Sequence, residues 1–191
     1  MSSNIYLKRV DTRPSSTDPT WDLVIPGLTQ RSVGETNEVL EKIKSTNTFI
    51  IQWSGKTLEE YKKAMSIGRY AVLALYRRLG EAIVKEIDSR TEEFSNRLFA
   101  VGSGGGIALY MAKAYGAGQL FLQCPDIIDA YHQQSMKIRI GWDPTDSTFM
   151  YQKNNIPWIS SWFSQGARLD YTSSGDSFQA EVLKKWMLSY I

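Results

Sequence analysis

The run Val101-Gly102-Ser103-Gly104-Gly105-Gly106-Ile107 decides the fold of this 191-residue chain. It separates a strand-like segment, Arg97-Leu98-Phe99-Ala100, from an alanine-rich segment that is typical of a helix. Four glycines in five positions let backbone amides surround an anion, or let two backbones approach closely. The run therefore predicts either a phosphate site or a point of close packing.

Residues 97–122, which run strand, glycine loop, helix and strand, resemble the opening βαβ unit of a Rossmann dinucleotide-binding domain of the short-chain dehydrogenase type. The resemblance implies a pyrophosphate held at the helix start by Gly102, Ser103, Gly104, Gly105 and Gly106. The spacing departs from the G-x-G-x-x-G pattern, because Ile107 stands at the third glycine position. The chain also has neither a Tyr-x-x-x-Lys pair nor a Walker A sequence.

Small residues follow the glycine run at helical spacing. Ala108, Ala112 and Gly116 recur every fourth residue and form a smooth helix face. Such a face permits close contact between backbones, and glycines at the helix start permit the same. Packing is therefore the favoured explanation of the run, and an anion site is the alternative.

The pattern elsewhere predicts a mainly α protein with a few short strands (α+β), built around a long central helix from Leu58 to about Ser89. Gly68 and Gly80 each weaken that helix by about 1 kcal/mol relative to alanine, so they mark a kink or close helix crossings. Short strands are expected at 48–53 and 136–142. The alternative fold is a small α/β, Rossmann-like domain.

The length and a hydrophobic content of 42% suit one globular domain. Residues 1–31 combine prolines with Ser and Thr and predict an extended N-terminal arm. Residues 32–175 form the predicted globular domain. Residues 176–191 place apolar side chains on one helical face and predict a C-terminal docking helix.

The formal net charge is only +2, from 22 basic and 20 acidic residues, so no overall field attracts a polyanion. Nucleic-acid binding would have to be local and nonspecific, through basic residues near aromatic rings. The candidates are Lys62, Lys63, Arg69, Arg77, Arg78, Lys137 and Arg139.

The sequence contains few residues of the types that carry out catalysis or bind metals. One cysteine, Cys124, and one histidine, His132, exclude an internal disulfide and a zinc site with several Cys or His ligands. The pairs Asp126-x-x-Asp129 and Asp143-x-x-Asp146 are explained by a helix start and an Asp-Pro turn. No catalytic residue, metal site or cofactor is predicted.

Aromatic and apolar side chains of the arm, of the irregular segment 154–175 and of the C-terminal helix are the candidates for contacts between copies of the chain, because aromatic anchors favour interface centres. These candidates are Trp21, Ile25, Trp158, Trp162, Phe163 and Trp186. Together with the arm, they predict a homo-oligomer.

The function that these features favour is a non-catalytic, self-assembling structural protein with the layout of a coat or nucleocapsid subunit, holding a nucleic-acid backbone nonspecifically. One alternative is a nucleotide- or phosphate-binding α/β enzyme that uses Gly102 to Gly106. Another is a membrane-interacting protein through residues 98–124, although Lys113 opposes insertion. The first residues lack the apolar region of a signal peptide, which predicts an intracellular protein.

Overall fold

The structure is a computed structural model, and it describes residues 5–10, 20–45, 47–126, 136–145 and 166–188. Within these residues the chain forms seven strands and five helices. In chain order they are β1 (Ile5–Val10), β2 (Thr20–Ile25), α1 (Gln30–Lys42), β3 (Thr48–Trp53), α2 (Gly55–Ile67), α3 (Arg69–Asp88), β4 (Glu93–Val101), α4 (Ser103–Tyr115), β5 (Gln119–Gln123), β6 (Lys137–Trp142), β7 (Arg168–Tyr171) and α5 (Ala180–Leu188).

The seven strands form one sheet in the order β1-β3-β2-β4-β5-β6-β7. Strand β1 pairs antiparallel with β3, and every neighbouring pair from β3 to β7 is parallel. The chain leaves β2 toward one edge of the sheet and leaves β4 toward the other. The carboxyl ends of β2 and β4 therefore lie side by side where the strand order reverses, which is the usual place for a ligand in open α/β sheets.

Helices cover both faces of the sheet. Helices α2, α3 and α4 pack on one face, where their apolar side chains join those of alternate strand positions in one core cluster. Helices α1 and α5 pack on the other face through Leu40, Leu183 and Trp186. Strands buried on both faces are apolar at successive positions, as in Leu98-Phe99-Ala100-Val101, all of which are fully buried.

The prediction of a mainly α fold was wrong, and the alternative α/β fold is the closer description. Within residues 1–31, residues 20–25 form the central strand β2 and residues 5–10 form the edge strand β1. The domain boundaries at residues 31 and 175 remain a prediction.

The long central helix is two helices. They meet at Gly68, whose φ of 140° is outside the helical range and ends α2 before α3 begins. Gly80 lies at the crossing of α3 and α4, where a β-carbon on it would lie 3.1 Å from the Cβ of Met111. The expectation that these glycines mark a break and a close crossing is confirmed.

Candidate functional site

The site is built around the turn that joins β4 to α4. Gly102 ends the strand with φ 57° and ψ −125°, a backbone conformation that residues with a side chain rarely adopt. Its N–H donates to the carbonyl of Gln123 at 2.9 Å, and its carbonyl accepts from the N–H of Asp126 at 3.2 Å. Backbone contacts to β5 and to the segment after it thus hold the unusual dihedral angles in place.

The next three glycines are sites of close approach. A β-carbon on Gly104 would lie 2.3 Å from the carbonyl oxygen of Ile25, and one on Gly105 would lie 2.8 Å from Pro125. A β-carbon on Gly106 would lie 2.5 Å from the ring of Tyr76. The packing explanation of the glycine run is therefore confirmed.

A loop from β2 meets this turn. The backbone N–H of Leu28, three residues after β2, donates to Oγ of Ser103 at 2.7 Å, and Ser103 is the residue after Gly102. The loop is fixed from behind, because the indole N–H of Trp53 donates to the carbonyl of Gly27 at 3.0 Å. On its other side the N–H of Gly27 donates to Oγ of Ser32 at 2.7 Å.

A buried carboxylate ends β6 and holds the loop after β7. Asp143 accepts hydrogen bonds from the hydroxyl and the N–H of Thr145, at 2.7 and 2.9 Å, and from the N–H of Gly175 at 2.9 Å. These donors, Thr145 foremost, hold the pKa of the Asp143 carboxyl below its usual value. Gln123 supports the same loop, because its side-chain amide donates to the carbonyl of Gly175 at 2.9 Å.

Asp176 lies over the turn. Its β-carbon is 3.9 Å from the point where a β-carbon on Gly102 would stand. Both oxygens of the Asp176 carboxylate accept from one nitrogen of Arg31, at 3.0 and 3.1 Å. The adjacent Ser177 hydroxyl donates to Glu35. The loop after β7 is thereby tied to α1.

A cleft of about 480 Å³ opens between the β2 loop and α2. Its apolar lining comes from Leu28, Leu58, Tyr61 and Met65. A larger cleft, of about 770 Å³, lies at the opposite edge of the sheet among the first residues of β2 and β4. The smaller cleft is lined by Leu28, whose N–H donates to Ser103, so of these two clefts it is the one connected to the turn.

The predicted basic residues are distributed over α2, α3 and β6. Arg139 is buried within the sheet, and Asp170 holds its guanidinium at 2.6 Å. Lys62 pairs with Glu59, Arg77 pairs with Glu81, and Arg78 pairs with Glu60. Lys63 lies on α2, Arg69 opens α3, and Lys137 opens β6.

Several predicted interface residues lie inside the chain. Trp21, Ile25 and Trp186 have at most 4% of their surface exposed, so core packing accounts for them. Trp158, Trp162, Phe163, His132, Asp129 and Asp146 lie outside the described residues. Cys124 is buried. Homo-oligomer formation stays a prediction.

Residues 98–124 form the end of β4, all of α4 and β5, in the middle of the fold. No helix in the described part of the chain is both long and apolar enough to cross a membrane. The prediction of a membrane-interacting segment at 98–124 was wrong, because these residues supply the core and the turn.

No protein-family model and no curated sequence matches the chain. Solved structures do. Est1E from Butyrivibrio proteoclasticus, solved with bound ferulic acid, has a TM-score of 0.61 and 14% identity over 97% of this chain and 94% of that chain. Dienelactone hydrolase from Anabaena variabilis has a TM-score of 0.58 and 11% identity over 98% and 99% of the two chains. A serine hydrolase without a lid from Xanthomonas campestris has a TM-score of 0.57 and 11% identity, over 95% and 84%.

The chain has the α/β-hydrolase fold. In enzymes of this fold a G-x-S-x-G sequence places a serine nucleophile on a strained strand-to-helix turn. The N–H of the next residue and an N–H from an earlier loop form the oxyanion hole, and an acid and then a histidine follow in the chain. The corresponding sequence here is Ala100-Val101-Gly102-Ser103-Gly104, so glycine stands at the nucleophile position.

The remaining positions of the site can be assigned from the same geometry. Asp143 follows β6 and Asp176 follows β7, in the chain order in which the acid and then the histidine follow the nucleophile in enzymes of this fold. The N–H groups of Leu28 and Ser103 lie at the positions of the two oxyanion-hole donors in enzymes of this fold, and the Leu28 N–H donates here to Oγ of Ser103. Sequence reasoning did not find these roles. The sequence does not match G-x-S-x-G because residue 102 is glycine. Asp143 is followed by Pro144, and such a pair by itself indicates only a turn.

These findings overturn the predicted function. The solved structures that share this fold are described as esterases and hydrolases, and those named above are not coat or nucleocapsid subunits. The glycine run belongs to a strand-to-helix turn of this fold rather than to a nucleotide-binding loop. The predictions of a structural assembly protein and of nonspecific nucleic-acid binding were therefore wrong.

Proposed function

We propose that this protein binds a small molecule through an ester, carbonyl or carboxylate group at the turn formed by Gly102 and Ser103, without forming a covalent acyl-enzyme there. One observation carries the proposal. Gly102 has the strained conformation of a nucleophile-bearing turn and has no side chain. A glycine cannot attack a carbonyl carbon, so the covalent step of serine esterases has no nucleophile at this position.

The surroundings of the turn support ligand binding. The carboxyl ends of β2 and β4 meet here at the reversal of strand order, and ligands of open α/β sheets bind at such points. Among the described residues, the chain neighbours of Gly102 aside, the atom nearest to the point where its β-carbon would stand is the Asp176 β-carbon, at 3.9 Å. A ligand carbonyl placed in that space would lie beside the start of α4, where the first backbone N–H groups have no acceptor within the helix.

The adjoining cleft indicates the rest of the ligand. Leu28, Leu58, Tyr61 and Met65 provide apolar and aromatic surface, which suits an acyl chain or an aromatic ring. Est1E, which has the same fold, was solved with ferulic acid, an aromatic carboxylic acid. An aromatic or aliphatic carboxylic acid, or its ester, is therefore the ligand class that we expect.

The test is a titration of the isotopically labelled protein with ferulate and with methyl ferulate, followed by NMR. The expected result is a saturable shift of the Leu28 and Ser103 amide signals that is lost in Gly102→Val, whose side chain fills the vacant space. Gly68→Val is the matched control, because Gly68 also has a positive φ but lies in open space between α2 and α3. Binding that survives in Gly102→Val, or no binding by the unaltered protein, contradicts the proposal.

A second candidate function is hydrolysis by a water molecule. The observation that favours it is the position of Asp176, whose β-carbon lies 3.9 Å from the point where a side chain on Gly102 would begin and whose carboxylate is held by Arg31. In such a reaction the water oxygen adds to the ester carbon and Asp176 takes its proton. The carbon–oxygen bond then breaks, and the proton passes to the departing alcohol.

Hydrolysis in ¹⁸O-labelled water tests this second function. Hydrolysis of methyl ferulate that places one labelled oxygen in the product acid supports it. The Asp176→Asn variant should not catalyse this hydrolysis. Asp88→Asn is a control of the same chemistry at the end of α3, far from the turn. Absence of turnover by the unaltered protein contradicts hydrolysis and leaves binding as the function.

A further inference from the structure

The oxyanion hole of this protein contains a hydroxyl group. Where the fold offers the N–H of Leu28 to a ligand oxygen, that N–H instead donates to Oγ of Ser103 at 2.7 Å. Ser103 is 8% exposed, so this hydrogen bond is shielded from water. A ligand oxygen cannot reach the Leu28 amide directly while the hydroxyl stands in front of it.

The hydroxyl of Ser103 has a second hydrogen-bonding capacity. A serine hydroxyl accepts and also donates one hydrogen bond. Its acceptor side is used by Leu28, and within the described residues its hydrogen has no acceptor. A buried donor without an acceptor is costly, by about 1–3 kcal/mol, so its presence indicates that something else accepts the bond.

From these two observations we infer that the Ser103 hydroxyl is the group that recognises the ligand, by donating its hydrogen to the carbonyl or carboxylate oxygen. The Leu28 amide acts on the ligand only indirectly, through its hydrogen bond to the Ser103 hydroxyl oxygen. An N–H that donates to a hydroxyl oxygen polarises the O–H bond and makes it a stronger donor. Ser103 would thus fix the oxygen of a carboxylic acid or ester, with the space over Gly102 receiving the carbon to which that oxygen is bonded.

This role rests on the proposed function and differs from that of a nucleophile. No base among the described residues contacts Ser103, and its Oγ faces the β2 loop rather than Asp176. Its neighbour Ser32 offers a close comparison. Oγ of Ser32 also accepts from an amide of the same loop, that of Gly27, at 2.7 Å and with 7% exposure.

The experiment measures the affinity for ferulate of the full chain by NMR titration in three variants. Ser103→Ala should weaken binding roughly tenfold or more, because the donor to the carboxylate is lost. Ser103→Thr keeps the hydroxyl and should restore most of the affinity. Ser32→Ala removes the hydroxyl that accepts from the Gly27 N–H but leaves the Ser103 hydroxyl in place. Its effect on affinity should be smaller, and it measures the disturbance of the β2 loop alone.

Thermal unfolding of each variant checks that it is folded, with Ser45→Ala as a reference for a buried serine that bonds Thr48 at the opposite edge of the sheet. If the unaltered protein binds ferulate and Ser103→Ala binds it equally or more tightly, the role of Ser103 is wrong and the proposed function stands. Tighter binding would mean that the hydroxyl merely blocks the Leu28 amide. If the unaltered protein binds neither ferulate nor methyl ferulate, the proposed function fails, and the role of Ser103 with it.

Discussion

Gly102 and Asp176 face each other across the gap where α/β-hydrolases hold their nucleophile and base, with 3.9 Å between the Asp176 β-carbon and the point where a side chain on Gly102 would begin. The backbone that would present a serine is intact, and the loop that would present a histidine is held by Asp143. At residues 102 and 176 the side chains differ from those of a serine hydrolase, whereas the backbone that carries them is alike.

The first prediction is that two substitutions supply the missing groups. Gly102→Ser combined with Asp176→His should hydrolyse a p-nitrophenyl ester roughly a hundredfold or more faster than Gly102→Ala combined with Asp176→His, because a positioned general base contributes at least that much. The release of p-nitrophenol measures the rate. Equal rates in the two double variants would show that the turn does not present its side chain as in a hydrolase.

The second prediction concerns Gly104. Gly104→Ala should reduce the free energy of unfolding by about 3 kcal/mol or more, because the new methyl group would lie 2.3 Å from a backbone oxygen of Ile25 that cannot move aside. Gly34→Ala, in an open part of α1, should raise it by about 0.5–1 kcal/mol. Denaturant unfolding of both variants measures the difference. A mild effect at Gly104 would contradict the close approach of α4 to β2.

The third prediction concerns Asp143 and pH. Asp143→Asn should lower the free energy of unfolding by about 2 kcal/mol at pH 7, because three donors then face an amide instead of a carboxylate. The pKa of Asp143 is lowered by folding, so its contribution is complete above the unfolded value of about 3.9 and is lost as the pH falls through the folded value.

The difference between the unaltered protein and Asp143→Asn should therefore be constant from pH 7 to about pH 5 and shrink below about pH 4. Urea unfolding at a series of pH values measures it. Glu41→Gln, at an exposed position of α1, serves as the control and should give no comparable difference. A difference that grows as the pH falls would contradict the assigned hydrogen bonds.

The fourth prediction concerns Asp170, which joins β7 to β6 and α5. Its carboxylate accepts from Arg139 at 2.6 Å and from the indole N–H of Trp186 at 2.7 Å. Asp170→Ala should cost about 3 kcal/mol of unfolding free energy, because a buried guanidinium loses its partner. Glu81→Ala removes an exposed pair with Arg77 and should cost less than about 1 kcal/mol. Equal losses of unfolding free energy in the two variants would mean that the Arg139–Asp170 pair stabilises the fold no more than an exposed ion pair does.

The local part of the fold was predictable from the sequence. Strand 97–100, the glycine turn, the helix after it and strand 119–122 follow from apolar runs and glycine placement, and they form β4, α4 and β5. The position of β2 was not predictable in the same way. Residues 20–25 lie between prolines, and only their pairing with β3 and β4, which follow much later in the chain, makes them a central strand.

The site was less accessible to sequence reasoning than the fold. A glycine indicates conformational freedom, but only the dihedral angles of Gly102 identify a nucleophile-bearing turn. Asp143 and Asp176 are far apart in sequence from Gly102 and from each other. They meet because the parallel strands β4, β6 and β7 end at the same edge of the sheet. Because residue 102 is glycine instead of serine, the chain lacks the G-x-S-x-G motif by which this fold is recognised in a sequence.

Intact-mass spectrometry after exposure to the organophosphate paraoxon, with peptide mapping of any adduct, shows whether the turn carries a nucleophile. The unaltered protein should gain no phosphoryl group on the peptide containing Ser103, while Gly102→Ser combined with Asp176→His should gain one at residue 102. A stoichiometric adduct on Ser103 of the unaltered protein would mean that Ser103 is a nucleophile rather than a hydrogen-bond donor, and that the turn supports covalent chemistry without a serine at residue 102.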